Sequence, residues 1–193
     1  AHNVFSMRNL VDTDKLYNFV TKEKVESAVV IGGGFIGVEL AENLVERGIK
    51  ATIVDLADQI LPPLDFEMAK MAQNELETNG VKVYLKDSVA EIKDNGKTAV
   101  LKSGIVLKTD LIIMAVGVRP ESRLAISGGL KVGPKGHIVT NEHLQTIDAK
   151  SGEVIPDVYA AGDAIEVKDF IDGTPTAVPL AWPANRQGRL VAD

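Results

Sequence analysis

The run Val29-Val30-Ile31-Gly32-Gly33-Gly34-Phe35-Ile36-Gly37-Val38-Glu39 constrains this chain more than any other feature. A short β-branched stretch, Ser27 to Ile31, meets a glycine-rich turn. The turn opens a helix in which Ile36, Leu40, Leu44 and Val45 recur at helical spacing. Gly32, Gly34 and Gly37 satisfy G-x-G-x-x-G. In such a turn the first glycine permits the tight bend and the second lets a pyrophosphate approach the backbone. The third lets helix and strand pack closely, and the helix N-terminus then faces the phosphate charge. Taken alone the pattern is weak, because glycine-rich turns occur in many loops, and context has to discriminate. Gly48 is placed to end the helix. A second strand, Ala51-Thr52-Ile53-Val54, follows and ends in Asp55, 18 residues beyond Gly37. A carboxylate there can accept hydrogen bonds from the adenosine 2′- and 3′-hydroxyls and repel a 2′-phosphate, which favours NAD(H) over NADP(H). The competing reading is a structural β-α-β turn with a solvated aspartate.

The rest of the chain extends this unit. Asp12 to Val20 reads as a short amphipathic helix, and Asp65 can cap a helix that runs to about Asn79, with Phe66, Ala69, Ala72, Gln73 and Leu76 along one side. Gly80 ends it, and Val81 to Leu85 is a third strand. The pattern then changes. Val89 to Ile92, Thr98 to Leu101 and Ile105 to Leu107 are separated by the turns Asp94-Asn95-Gly96 and Lys102-Ser103-Gly104, which predicts a three-stranded antiparallel meander. Leu111 to Val116 is nearly continuous in apolar residues, as suits a strand buried on both faces of a parallel sheet, and Gly117 closes it. The reading gives a connecting segment and helix over 1–26, an α/β dinucleotide-binding domain over 27–117, and a region of different character over 118–193. In that last region Ile138-Val139-Thr140 and Val158-Tyr159-Ala160 are strand candidates, too sparse to build an independent core.

Composition excludes several function classes. The net charge of −6 leaves no basic footprint for nucleic acid or an anionic membrane. No apolar run reaches membrane-span length, and no leader pattern opens the chain, so the cytoplasm is the expected compartment. With no cysteine, disulfides, thiolate metal sites and any thiol redox centre within the chain are ruled out. His2, His137 and His143 are scattered at no metal-ligand spacing, so no metal is expected. Ala1 to Asn9 reads as mid-protein sequence, which suggests a piece of a longer chain.

Four ordered motifs carry a resemblance that covers nearly the whole chain. They are Gly32 to Glu39, Ala115-Val116-Gly117-Val118-Arg119-Pro120, Tyr159-Ala160-Ala161-Gly162-Asp163, and Pro179-Leu180-Ala181-Trp182-Pro183-Ala184-Asn185-Arg186-Gln187-Gly188-Arg189. In this order they resemble the FAD-dependent pyridine nucleotide-disulfide oxidoreductases, and within them the branch of NADH oxidases, NADH peroxidases and coenzyme A-disulfide reductases. The resemblance implies a Rossmann-like three-layer NAD(H)-binding domain followed by part of a second, FAD-binding domain. It places the redox cysteine outside this chain. It also implies a full-length homodimer that passes hydride from NADH to FAD and on to a small-molecule electron acceptor: a disulfide, peroxide or oxygen.

The resemblance assigns roles by position. Gly32, Gly34 and Gly37, with Ile36 beside them, match the pyrophosphate turn, and Asp55 matches the acid that holds the adenosine ribose. Phe35 matches an aromatic that lies over the flavin and moves aside for nicotinamide, and Glu39 a carboxylate near nicotinamide and flavin; these are the two catalytic candidates. Gly117 matches a backbone contact to NAD. Asp163 matches the residue that hydrogen-bonds the flavin ribitol, and Leu180 and Ala181 match backbone positions at the flavin pyrimidine edge. A helix starting near Pro183 would direct its positive end there. Two alternatives remain at this point: a cysteine-independent flavoprotein reductase serving ferredoxin or rubredoxin, and a non-catalytic NAD-sensing module.

Overall fold

The computed structural model describes residues 1–192 and divides into two units, residues 1–118 and residues 119 onward. The first unit is built on a five-stranded, wholly parallel sheet. Its strands are β1 (Val4–Ser6), β2 (Ser27–Ile31), β3 (Lys50–Val54), β4 (Lys82–Tyr84) and β8 (Leu111–Met114), in the spatial order β1-β8-β2-β3-β4. Helices α1 (Leu10–Lys22), α2 (Phe35–Glu46) and α3 (Phe66–Thr78) connect them. Between β4 and β8 the crossover contains the antiparallel meander β5 (Val89–Lys93), β6 (Thr98–Leu101) and β7 (Val106–Lys108).

Strand periodicity explains the layers. Along β2, β3 and β8, one set of residues, Ala28, Val30, Ala51, Ile53, Leu111 and Ile113, packs with Leu16 of α1, Ala41 and Leu44 of α2 and Leu76 of α3. The alternate set, Val29, Val54 and Ile112, packs with Ala99 and Leu101 of the meander. The central strands are therefore buried on both faces, as their near-continuous apolar runs predict. The three layers are helices, parallel sheet and meander.

Two tethers hold the sheet at its amino edge. The Asp110 Oδ2 atom accepts hydrogen bonds from the backbone N–H groups of Glu26 and Ser27 and from the Ser27 hydroxyl, which pins the start of β8 to the start of β2. Asn3, fully buried, donates from Nδ2 to the carbonyls of Gly96 and Asp110. That contact ties the chain before β1 to the meander. Segment 1–26 does more than connect, because it adds edge strand β1 in register with β8. The meander turn takes an unusual course, with Asp94 and Asn95 both left-handed (φ 52° and 57°).

The second unit contains α4 (Arg123–Ser127) and α5 (Ala181–Ala192). Strands β9 (Ile138–Val139), β10 (Gln145–Ile147), β11 (Val154–Tyr159), β12 (Ile165–Lys168) and β13 (Pro175–Thr176) form two small sheets. Strands β10 and β11 pair antiparallel, and β12 lies between antiparallel β13 and parallel β9. The sparse strand candidates of the sequence hide a small core of Ala125, Ile138 and Ile165, with Leu130, Val132, Leu144 and Val167 packed against it. Helix α5 buries none of its residues.

Several aspartates titrate below the ordinary value of 3.8. Asp87 is held down chiefly by its hydrogen bond with Ser103 and Asp94 chiefly by the Thr98 hydroxyl and then by Lys108. Asp148 is lowered by the N–H groups of Ser151 and Lys150. A folded pKa below the unfolded one contributes stability that is present above the unfolded value and lost as pH falls through the folded value. The melting temperature should therefore fall as pH drops from about 5 towards 2, and Asp87→Asn with Asp94→Asn should flatten that fall. Thermal melts across this range test it, and a pH-independent melting temperature would contradict it. Asp110→Ala should cost about 1–3 kcal/mol in urea unfolding, since the Ser27 N–H loses its acceptor.

Candidate functional site

The glycine turn lies at the carboxyl end of β2, and its glycines have different reasons to be glycine. Gly32 is left-handed (φ 114°), and a Cβ there would overlap the Ala115 carbonyl oxygen of the neighbouring β8 segment. A Cβ at Gly37 would overlap the Gly32 carbonyl oxygen and sit in contact with Val30 Cγ1 at 3.4 Å. Both are demanded by the fold. Gly34, the N-cap of α2, is extended (φ −75°, ψ −175°), and a Cβ there would meet nothing within 4 Å. Neither backbone angle nor crowding requires a glycine at 34. The room in front of it is the kind a close ligand takes, at the open N-terminus of a helix of 12 residues.

Gly33 is held on both sides. Its N–H donates to Asp55 Oδ2, and its carbonyl accepts from the Leu61 N–H at 2.7 Å. A Cβ at this position would press on Ile60 Cγ2 at 3.1 Å. Asp55 follows β3 directly. Its second carboxylate oxygen accepts from the Ala57 N–H at 2.7 Å, and its backbone N–H donates to the Tyr84 carbonyl. An ionised carboxylate offers about four acceptor sites. Two are taken by backbone donors, which fix its orientation and leave two for hydroxyl groups. Leu61 is buried, left-handed (φ 47°) and directly before Pro62. Such a backbone costs on the order of 1–3 kcal/mol for a branched residue.

The remaining first-unit candidates sit along the same carboxyl edge, the side on which open α/β sheets bind ligands. Phe35 and Glu39 are one turn apart on α2 and both exposed. Ile36 and Glu39 line a groove of about 460 Å³ between α1 and α2, together with Arg8, Tyr17, Leu40 and Arg47. The Arg47 guanidinium stacks over the Tyr17 ring, 5.4 Å from its centroid. Gly117 follows β8, left-handed at φ 85°.

In the second unit, Asp163 lies in a single helical turn, Gly162–Ala164, and is exposed. Gly162, left-handed at φ 80°, donates its N–H to Gln187 Oε1 of α5 at 2.7 Å. This bond, with Ala184 3.5 Å from where a Gly162 Cβ would stand, sets the Gly162 turn against α5; at the start of that helix Leu180 and Ala181 are exposed and the Leu180 carbonyl accepts from the Ala184 N–H at 3.3 Å. Helix α5 begins at Ala181, two residues before the proline that signals its first turn. An exposed carboxylate at 163 can accept hydroxyl groups, and the first N–H groups of α5 can donate to a carbonyl.

Sequence reasoning missed the grips on Gly33. The G-x-G-x-x-G pattern asks nothing of its second position, and Leu61 carries no glycine or asparagine to advertise a left-handed backbone. Ala57 contributes only its N–H, which no side-chain pattern records. Among the described residues, no group of three His, Cys, Asp or Glu could hold a metal ion.

Known proteins resemble this chain in sequence and fold. A family model described as pyridine nucleotide-disulphide oxidoreductase matches residues 1–188. An NADH oxidase of Methanocaldococcus jannaschii is 38% identical over 189 residues, 97% of this chain and 40% of its own. A coenzyme A disulfide reductase of Staphylococcus aureus is 34% identical, over 98% of this chain and 41% of its own. The crystal structure of reduced Bacillus anthracis CoADR-RHD superposes with a TM-score of 0.92 at 48% identity, covering all of this chain and 33% of that one. The chain thus spans about two-fifths of the length of the curated relatives it matches. Matched by one family model along nearly all its length, the chain belongs to the pyridine nucleotide-disulphide oxidoreductase family.

Proposed function

We propose that this chain is the NAD(H)-binding portion, with the returning part of the FAD-binding domain, of an enzyme that moves hydride from NADH to FAD and on to a disulfide, peroxide or oxygen. The observation that carries the reading is Gly34. It is a glycine that the fold does not need, set where a pyrophosphate would meet the backbone. Asp55 supports it with two free acceptor sites in a prearranged carboxylate. The relatives' names, NADH oxidase and coenzyme A disulfide reductase, support the same chemistry.

In this reading the protein binds and orients, and the cofactors carry the electrons. The first turn of α2 offers N–H groups and its dipole to the pyrophosphate. Asp55 takes the adenosine ribose hydroxyls and disfavours a 2′-phosphate. Gly117 lets the strand end approach the dinucleotide. Ile36 would lie beside the pyrophosphate turn, and Phe35 and Glu39, one turn apart on α2, would serve the nicotinamide end, Phe35 as an aromatic that moves aside for the ring and Glu39 as the carboxylate near it. Asp163 would hold the ribitol hydroxyls, and Leu180 and Ala181 would present the α5 N-terminus to the flavin pyrimidine edge. The flavin, when bound, supplies the two-electron acceptor for the hydride. The whole protein works as a homodimer in the cytoplasm.

Calorimetric titration of the chain should show NADH binding more tightly than NADPH, and equal affinity would sink the specificity assigned to Asp55. Gly34→Ala should leave stability within about 0.5 kcal/mol of the parent while weakening NADH by about tenfold or more. A Gly34→Ala protein that binds NADH normally removes the central support of the reading. Gly37→Ala should instead lose about 1–3 kcal/mol of stability. Asp55→Ala should weaken NADH by about 1.5–3 kcal/mol and also lower the melting temperature, because two backbone donors lose their acceptor.

A further inference from the structure

We propose that Leu61 is a positioning residue for the dinucleotide, acting through its backbone N–H on the carbonyl of Gly33 and resting on the NAD(H) reading above. Three observations converge on it. The Leu61 N–H meets the Gly33 carbonyl at 2.7 Å, while the Asp55 carboxylate takes the N–H of the same residue. Leu61 is left-handed at φ 47° although it carries a branched side chain and precedes a proline, a position that favours extended backbone. Its side chain and that of Ile60 are buried in the same core as β2 and α2.

A left-handed leucine persists only where its surroundings over-determine it, and such outliers concentrate at ligand clamps. Had the chain needed only a bend at 61, a glycine would adopt it without strain. The leucine instead anchors the loop in the core while its backbone holds the peptide that leads into Gly34. The loop is braced on its far side as well: the Leu64 N–H donates to the Leu61 carbonyl at 2.9 Å, and Gln59 Nε2 donates to the Leu64 carbonyl at 2.8 Å. With both its N–H and its carbonyl engaged, the Gly33 residue cannot turn, so the turn enters binding already shaped. Preorganisation of this kind appears as affinity, because the ordering cost is met before the ligand arrives. Ile60 and Leu61 belong to the binding apparatus although neither needs to touch the dinucleotide.

Two substitutions separate the latch from the side chain. Leu61→Gly removes the side chain but keeps the N–H and suits the left-handed backbone. Leu61→Pro removes the side chain and the N–H and forbids the conformation. Both should lower the melting temperature. Leu61→Pro should weaken NADH by about tenfold or more beyond Leu61→Gly, which loses the anchor but keeps the N–H. NADH titration of the unsubstituted chain comes first, and a lack of saturable binding there defeats the NAD(H) reading itself. Given parental binding, a folded Leu61→Pro protein with affinity within about threefold of Leu61→Gly overturns the latch. Should Leu61→Pro not fold, amide hydrogen exchange of the unsubstituted chain decides. Saturating NADH should slow exchange of the Leu61 N–H by about tenfold, and an unchanged rate overturns the proposal.

Discussion

The site depends first on how closely α2 approaches the end of β2. No carbon atom fits between Gly37 and the carbonyl of Gly32, and none fits between Gly32 and the carbonyl of Ala115. Three elements, β2, α2 and β8, therefore meet around a single peptide. That contact fixes the angle at which the helix leaves the strand, and so decides where its uncapped N–H groups point. The packing of Val30 with Ala41 and Leu44 follows from the same approach, since small residues on the helix bring the two backbones together.

The second layer of order is polar and lies on the residue between these glycines. Asp55 and Leu61 grip Gly33 from its two ends, and Asp55 is gripped in turn by Ala57. The brace extends to the meander side, where the Asp87 N–H donates to the Asp55 carbonyl and the Lys86 N–H to that of Ala57. An acid expected to serve a ribose thus serves the backbone as well. The structural role is the observed one, and about four acceptor sites on the carboxylate leave room for a ligand's hydroxyls beside it.

Much of this was legible in the sequence, and the reasons differ by element. Helix α2, strand β3 and Asp55 announced themselves through glycine spacing and periodicity, and the meander through its two turn signals. The both-face burial of β8 followed from its unbroken apolar run. Strand β1 did not, because three residues give no period and its partner β8, like the Gly96 and Asp110 carbonyls that hold Asn3 before it, lies some hundred residues along the chain. The small core of the second unit was also hidden, since Ala125, Ile138 and Ile165 lie in short elements separated by turns. The motif already gave Gly34 a different task from Gly32 and Gly37, and the coordinates supply the reason: of the three, only at Gly34 does a side chain meet open space.

The wall that shapes the first glycine also carries a consequence for the order of assembly. Gly32 and Ala115 lie 83 residues apart, and the meander is threaded between them. The turn, its helix and Asp55 are all synthesised before the strand that walls in Gly32. Until β8 slots between β1 and β2, the motif has its full set of residues but no surface to bend against. Contacts of such long range come late, because the chain between them must first give up its freedom. The shape of the turn is thus a property of the closed sheet, complete only when its middle is filled.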